Sequence, residues 1–200
     1  MRQQTGRRLG SIVVAVVATM LAAPAAASGV TFCVADSSCS GTAVLDVQTA
    51  LNLAGANPGA DRVQIGAGTF AGAGGFTYSP PAADLNPVEV LGSSRFLTFL
   101  TSSATPSTVL TVDGASSRVS NLTAQIPAGG NRGISVSGIA SGVFVTQSVP
   151  PAAPNTSVGL VLRGSATGRD IGISMPLVAT GEVLGVLDSS VGGAPTLVDA

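Results

Sequence analysis

Asp61 to Phe70 reads DRVQIGAGTF, and its centre, VQIG, closes a short β-branched run on Gly66. Comparable runs close at Gly92 (VEVLG), Gly114 (LTVDG), Gly138 (ISVSG), Gly164 (LVLRG) and Asp188 (LGVLD), at intervals of 26, 22, 24, 26 and 24 residues. A period in that range marks a solenoid, whose units are each too small to bury an apolar face alone and must stack. Inside the runs apolar residues alternate with polar ones, as at Leu110 and Val112 or Ile134 and Val136, which turns one side inward and the other outward. A second apolar element follows about five residues after four of these glycines, at Phe96-Leu97, Val119, Val143 and Ile171. The pattern predicts a stack of about six coils, with the five glycines supplying a turn conformation that other residues adopt only at a steric cost. It also predicts that Val90, Val112, Val136 and Leu162 stand in one vertical file.

Upstream the spacing changes. Val44, Leu45, Val47, Leu51 and Ala54 fall at helical intervals, and Gly55 with the Asn57-Pro58-Gly59 link stops the run, so 42–56 is expected to be a helix. A helix at that place can cover the apolar interior and unpaired strand edges that the first coil would otherwise expose. The succession VQTALNLA, NPGAD and DRVQIGAGTF resembles the opening of the secreted right-handed parallel β-helix proteins of the pectin-lyase-like superfamily. The resemblance implies an all-β parallel β-helix with an N-terminal capping helix, whose first coil carries Gly66, Gly68, Thr69 and Phe70. It is close over about 30 residues and continues beyond them only as a period. It fixes no chemistry, because that superfamily includes lyases, hydrolases and adhesins. A β-sandwich also offers many short strands, but it gives no reason for one period held through five intervals.

Hydrophobic residues make up 45% of the 200 and charged residues 10%, which is the composition of a chain that folds. There is no Lys, His or Trp, and Tyr78 is the only tyrosine. The lack of His removes the commonest general base and metal ligand together. Arg2, Arg7 and Arg8 precede an apolar run, Ile12–Ala23, that leads to Pro24 and Ala25–Ala27, the layout of a secretory signal over 1–27. A membrane anchor needs a longer apolar core, about 20 residues. Arg7-Arg8 fits a twin-arginine route, while the residues after it do not. Removal of 1–27 would leave six Arg against ten acids, a net charge of −4, which disfavours nucleic acid as a partner. In an exported chain Cys33 and Cys39 are expected to form a disulfide pinning an N-terminal arm, 28–41. A metal site would need further Cys or His, and a redox dithiol usually has closer spacing.

Reactive constellations are harder to find. A glycoside hydrolase needs two facing carboxylates, and Asp113, Asp170, Glu182 and Asp188 include no close acidic pair. Arg163, Arg169 and Asp170 approximate the arginine and acid that the resemblance implies for a lyase, but one acid is too few for a calcium cage. The glycine-rich 66–75 stretch lacks the Lys-Ser/Thr of a phosphate loop. The Phe residues are expected mostly in the core, leaving no aromatic platform for sugar. The links Pro127–Arg132 and Pro150–Thr156 are expected to project as loops, either as spacers or on a binding face. The expectation is thus an exported or cell-surface module, structural or adhesive, with no cofactor or metal. Its partners would be a surface polysaccharide or further coils of a longer chain beyond PTLVDA at 195–200. The alternative is the N-terminal part of a polysaccharide lyase or glycoside hydrolase.

Overall fold

The computed structural model describes residues 28–80, 87–104, 107–129, 132–149, 156–175, 182–188 and 196–198, with side chains described up to 175. The expected signal at 1–27 and most of the 150–156 link lie outside the described residues.

The elements are β1 (Thr31–Val34), β2 (Thr42–Val44), α1 (Val47–Ala56), β3 (Asp61–Ile65), β4 (Gly68–Gly72), β5 (Phe76–Tyr78), β6 (Val88–Gly92), β7 (Thr98–Ser102), β8 (Thr108–Val112), β9 (Arg118–Ser120), β10 (Thr123–Ile126), β11 (Arg132–Val136), β12 (Ile139–Gln147), β13 (Thr156–Leu162), β14 (Thr167–Ser174), β15 (Glu182–Asp188) and β16 (Thr196–Val198). Every strand pairing between them is parallel. Three faces result. Face 1 stacks β1, β3, β6, β9, the first part of β12, the first part of β14 and β16. Face 2 stacks β4, β7, β10 and the second parts of β12 and β14. Face 3 stacks β5, β8, β11, β13 and β15. The chain is a parallel β-helix of about five turns, and β16 starts another pass along face 1.

The register corrects the expected file. Val112, Val136 and Leu162 do stack on face 3, below Asp188 and above Tyr78 in sequence order. Val90 stands on face 1 instead, between Val63 and Val119. VQIG and VEVLG are therefore face 1 strands, while the four later runs are face 3 strands. The 22-residue interval from Gly92 to Gly114 is a step around one turn, and about six coils become about five. Real turn lengths are uneven: successive partners fall at Val63, Val90, Val119 and Ala140 on face 1, and at Tyr78, Val112, Val136 and Leu162 on face 3. A uniform period arose because strands of different faces share one physical requirement, a β-branched run closed by a tight corner.

The interior is largely apolar and filled in files. Phe76, Leu110, Ile134 and Leu160 succeed one another on face 3 at 3%, 0%, 0% and 0% exposure. They meet Val63, Val90, Val119 and Ala140 from face 1 and Leu100, Ala124 and Val145 from face 2 in one apolar cluster. Buried hydroxyls satisfy the corners: Thr98 Oγ1 donates to the Gly66 carbonyl (2.9 Å) and accepts from the Ser93 N–H (3.0 Å), joining the first two turns.

The segment before the first turn is not all helix. Thr42–Val44 forms β2, which pairs with β1, and α1 begins only at Val47. Asp46 is its N-cap, accepting from Thr49 N (2.9 Å) and Thr49 Oγ1 (2.7 Å). Leu45, whose spacing fitted the helix, is fully exposed. Val47, Ala50, Leu51 and Ala54 are buried against β1, β3 and β5. Gln48 completes the cover: its amide accepts from Thr77 N (2.8 Å) and donates to Thr77 O (2.9 Å), standing in for the strand that the edge of face 3 lacks. Cys33 and Cys39 are disulfide-bonded with Cα atoms 5.9 Å apart. Asp36, inside that loop, accepts from Ser38 and from Gln64 Nε2 (2.9 Å), which fastens the loop to β3.

Hydrogen bonds hold two of these carboxyls below the ordinary aspartate value of 3.8, those from Ser38 and Gln64 for Asp36 and those from Thr49 for Asp46. Because the folded-state values are depressed, their stabilisation is complete above 3.8 and disappears as pH falls through the lower folded values. Asp46→Ala should cost about 1 kcal/mol at neutral pH. Thermal melts of wild type and variant should converge as pH drops below that window, and a difference that persists unchanged in acid would contradict the capping role.

Candidate functional site

Charged residues on this β-helix occur mostly at outward positions near the corners, and the register decides which meet. Arg62, Glu89 and Arg118 are consecutive partners on face 1. Arg62 binds Glu89 through Nε (2.7 Å) and Nη2 (2.6 Å), while Arg118 has no side-chain partner among the described residues. Beside this row a cleft of about 470 Å³ follows the corner leading into face 1, with walls from Gly29–Thr31, Ala60–Arg62, Pro87–Glu89, Ser116 and Arg118. Asp61, 3% exposed, lines it. Its Oδ1 accepts from Val30 N (2.6 Å) and Asn57 Nδ2 (2.8 Å), and its Oδ2, closed off from solvent, has no partner among the described residues.

The corner from face 1 to face 2 is a one-residue left-handed bend in the last three turns, made by Asn121 (φ 55°), Gly142 (φ 62°) and Asp170 (φ 48°). Asn, Gly and Asp are the residue types that tolerate this conformation. Arg95, from the β6–β7 link, reaches along this corner to Asp170 Oδ1 (2.9 Å), and Gly142 between them has no side chain in the way. At the corner after face 3, Arg163 donates to Asp113 Oδ1 (3.0 Å).

The expected lyase-like trio is therefore divided: Arg163 and Asp170 occupy different corners and take different partners, and Arg169 projects from face 1. Asp113 and Asp170 are each held by an arginine from another turn. Glu182 and Asp188 lie on β15, where the backbone places Asp188 opposite Leu162. Among the described residues no three His, Cys, Asp or Glu side chains group as a metal site.

The turn glycines divide too. Gly114 (φ 116°) and Gly164 (φ 64°) take the left-handed region, as expected. At Gly66, Gly92 and Gly138 the reason is space, since a Cβ would overlap the carbonyl oxygens of Ala35, Asn121 and Ser117 respectively.

No protein-family model and no curated protein matches this chain. Among solved structures it is similar to pectin methylesterase from carrot, with 15% identity and a TM-score of 0.46 over 89% of this chain. The match spans 65% of the carrot protein's length. At that identity the likeness concerns the course of the backbone and transfers no residue role. Among the described residues no helix is long and apolar enough to cross a membrane.

Two features escape a reading of the sequence. The Arg62–Glu89–Arg118 row is invisible until the strand register is known, because its spacings follow the uneven turns. The aromatic residues are also less buried than expected: Phe32 and Phe76 are core, Phe96 is 71% exposed, and Phe70, Phe99 and Phe144 are intermediate. Phe96-Leu97 is a turn, and β7 starts at Thr98. Phe99 and Phe144 point outward from face 2 on either side of Thr123, whose hydroxyl donates to the Arg95 carbonyl. Thr101, Gln125 and Thr146 form the next outward row.

Proposed function

We propose that the chain is an exported structural or adhesive module of the cell surface or extracellular space, which presents the outer side of face 2 to a polysaccharide and catalyses no reaction itself. The observation that carries this reading is the use made of charge. Glu89, Asp113 and Asp170 are each bound by an arginine from another turn, so they act as ties along the stack. Glycoside hydrolysis needs a carboxylate pair on either side of one bond, one of them free to donate a proton. An outward row with two phenylalanines and a neighbouring row of Thr and Gln offers ring faces and hydrogen-bonding groups together. The basic, apolar and small-residue succession over 1–27 and the Cys33–Cys39 disulfide support export.

The test uses the full chain with pectate, alginate and related polymers at neutral pH with calcium. Retention on an insoluble polymer is expected, weakened by Phe99→Ala with Phe144→Ala, with no unsaturated or reducing-end products. Reproducible turnover would overturn the reading in favour of a polysaccharide lyase or hydrolase, and unaltered retention by the double variant would remove face 2 as the contact.

A further inference from the structure

The outer side of face 2 carries no charge. Its two outward rows, one through Phe99, Thr123 and Phe144 and the other through Thr101, Gln125 and Thr146, contain neither an acid nor a base from β4 to β14. Thr123 is outward in register yet only 2% exposed, with the two phenylalanines on either side and its hydroxyl on the Arg95 carbonyl. Phe144 extends over the next strand, where its ring edge fills the place that a side chain at Gly172 would take. The two phenylalanines stand two layers apart, about 10 Å along the column axis. Beside them a cleft of about 290 Å³ follows Thr101, Gln125, Thr146 and Ser148, whose side chains offer only hydroxyls and one amide.

The nearby cations are engaged or face elsewhere. Arg95 binds Asp170 and lies over the Phe96 ring, 5.1 Å from its centroid. Arg118 and Arg169, which have no ion-pair partner among the described residues, project from face 1. A polymer with a carboxylate on every sugar would lose hydration on face 2 and meet no counter-charge there. An uncharged polymer bears no such cost, and its apolar ring faces and hydroxyls match the two rows.

We propose that face 2 takes an uncharged polysaccharide, lying along the column axis with sugar faces on Phe99 and Phe144 and hydroxyls bonded to Thr101, Gln125 and Thr146. The axial course follows from the rows themselves, since both run across the strands and lie about 7 Å apart along them. This inference rests on the reading of face 2 as the contact surface and adds the class of polymer.

The experiment is co-sedimentation of the full chain with cellulose, curdlan and chitin, all uncharged, and with covalently cross-linked pectate and alginate, each at low salt and in molar sodium chloride. Retention on at least one uncharged polymer is expected, equal in both salts because no ion pair contributes. Phe99→Leu with Phe144→Leu keeps apolar cover over Thr123 and removes both ring faces, so it should weaken retention about tenfold. Its thermal melt should stay near that of wild type, and Phe99→Tyr with Phe144→Tyr should retain the polymer. Retention on the acidic gels alone, abolished by molar salt and by Arg118→Ser with Arg169→Ser, would overturn this inference while an adhesive module stood, with its contact on face 1. Unaltered retention of the leucine pair on an uncharged polymer would overturn it as well. Retention on none of the five polymers would sink both this inference and the reading on which it rests.

Discussion

Ile134→Ala is expected to lower the unfolding free energy by about 2–5 kcal/mol, a large share of what a domain of this size has in total. Ile134 is at 0% exposure in a file with Leu110 before it and Leu160 after it, and it belongs to the central strand of face 3. Removing its side chain opens a void with walls from the turns on both sides and from facing strands, none of which can move in without breaking parallel ladders. In a stack where each turn rests only on its neighbours, the loss should also weaken the contacts between the second, third and fourth turns. Urea unfolding followed by circular dichroism reads the effect as a lower midpoint. A loss below about 1 kcal/mol would mean that the site collapses freely and that the interior is not close-packed there.

Gly138→Ala should be at least as damaging, about 3 kcal/mol or more, because the new methyl would overlap the Ser117 carbonyl oxygen of the turn beneath. That oxygen accepts from Ile139 N (2.8 Å), so the backbone cannot retreat without losing the joint between β9 and β12. Gly164 occupies the equivalent corner one turn on but for another reason: its φ is 64°, and a Cβ there would meet nothing within 4 Å. Gly164→Ala should therefore cost only about 1–2 kcal/mol, and Gly164→Asn less, since asparagine tolerates the left-handed region. Gly138→Asn should be as harmful as Gly138→Ala. Thermal melts of the four variants check the contrast. Equal behaviour at the two positions would show that conformation alone selects glycine at these corners.

These two glycines also show how far the sequence could be read. Both close a β-branched run, and both mark a corner, but overlap with a neighbouring turn is a property of stacking and leaves no local trace. The strand class was legible because alternation and β-branching record a half-buried pleated surface directly. Which face a strand belongs to was not: VEVLG and LTVDG carry the same signal, and only the pairing of Val90 with Val63 and Val119 separates them. The helix was legible from Val47, Leu51 and Ala54, whereas β2 was absorbed into it because Val44 and Leu45 happen to extend the helical spacing. Phe96-Leu97 reads as a strand by hydropathy and is an exposed turn that ends where β7 begins at Thr98. The Arg62–Glu89–Arg118 row depends wholly on register, so an equal-period alignment concealed it.

The assignment of strands to three faces is tested most directly by cysteine pairs at outward positions, with Cys33 and Cys39 left in place. Glu89 and Arg118 are register partners on adjacent face 1 strands, so a Glu89→Cys, Arg118→Cys chain should form a disulfide under mild oxidation, at a Cα separation such bonds accept. An equal-period stack would instead set Glu89 beside Thr111, and a Glu89→Cys, Thr111→Cys chain should stay reduced. Cross-linking of 89 with 111, and none of 89 with 118, would contradict the three-faced stack described above.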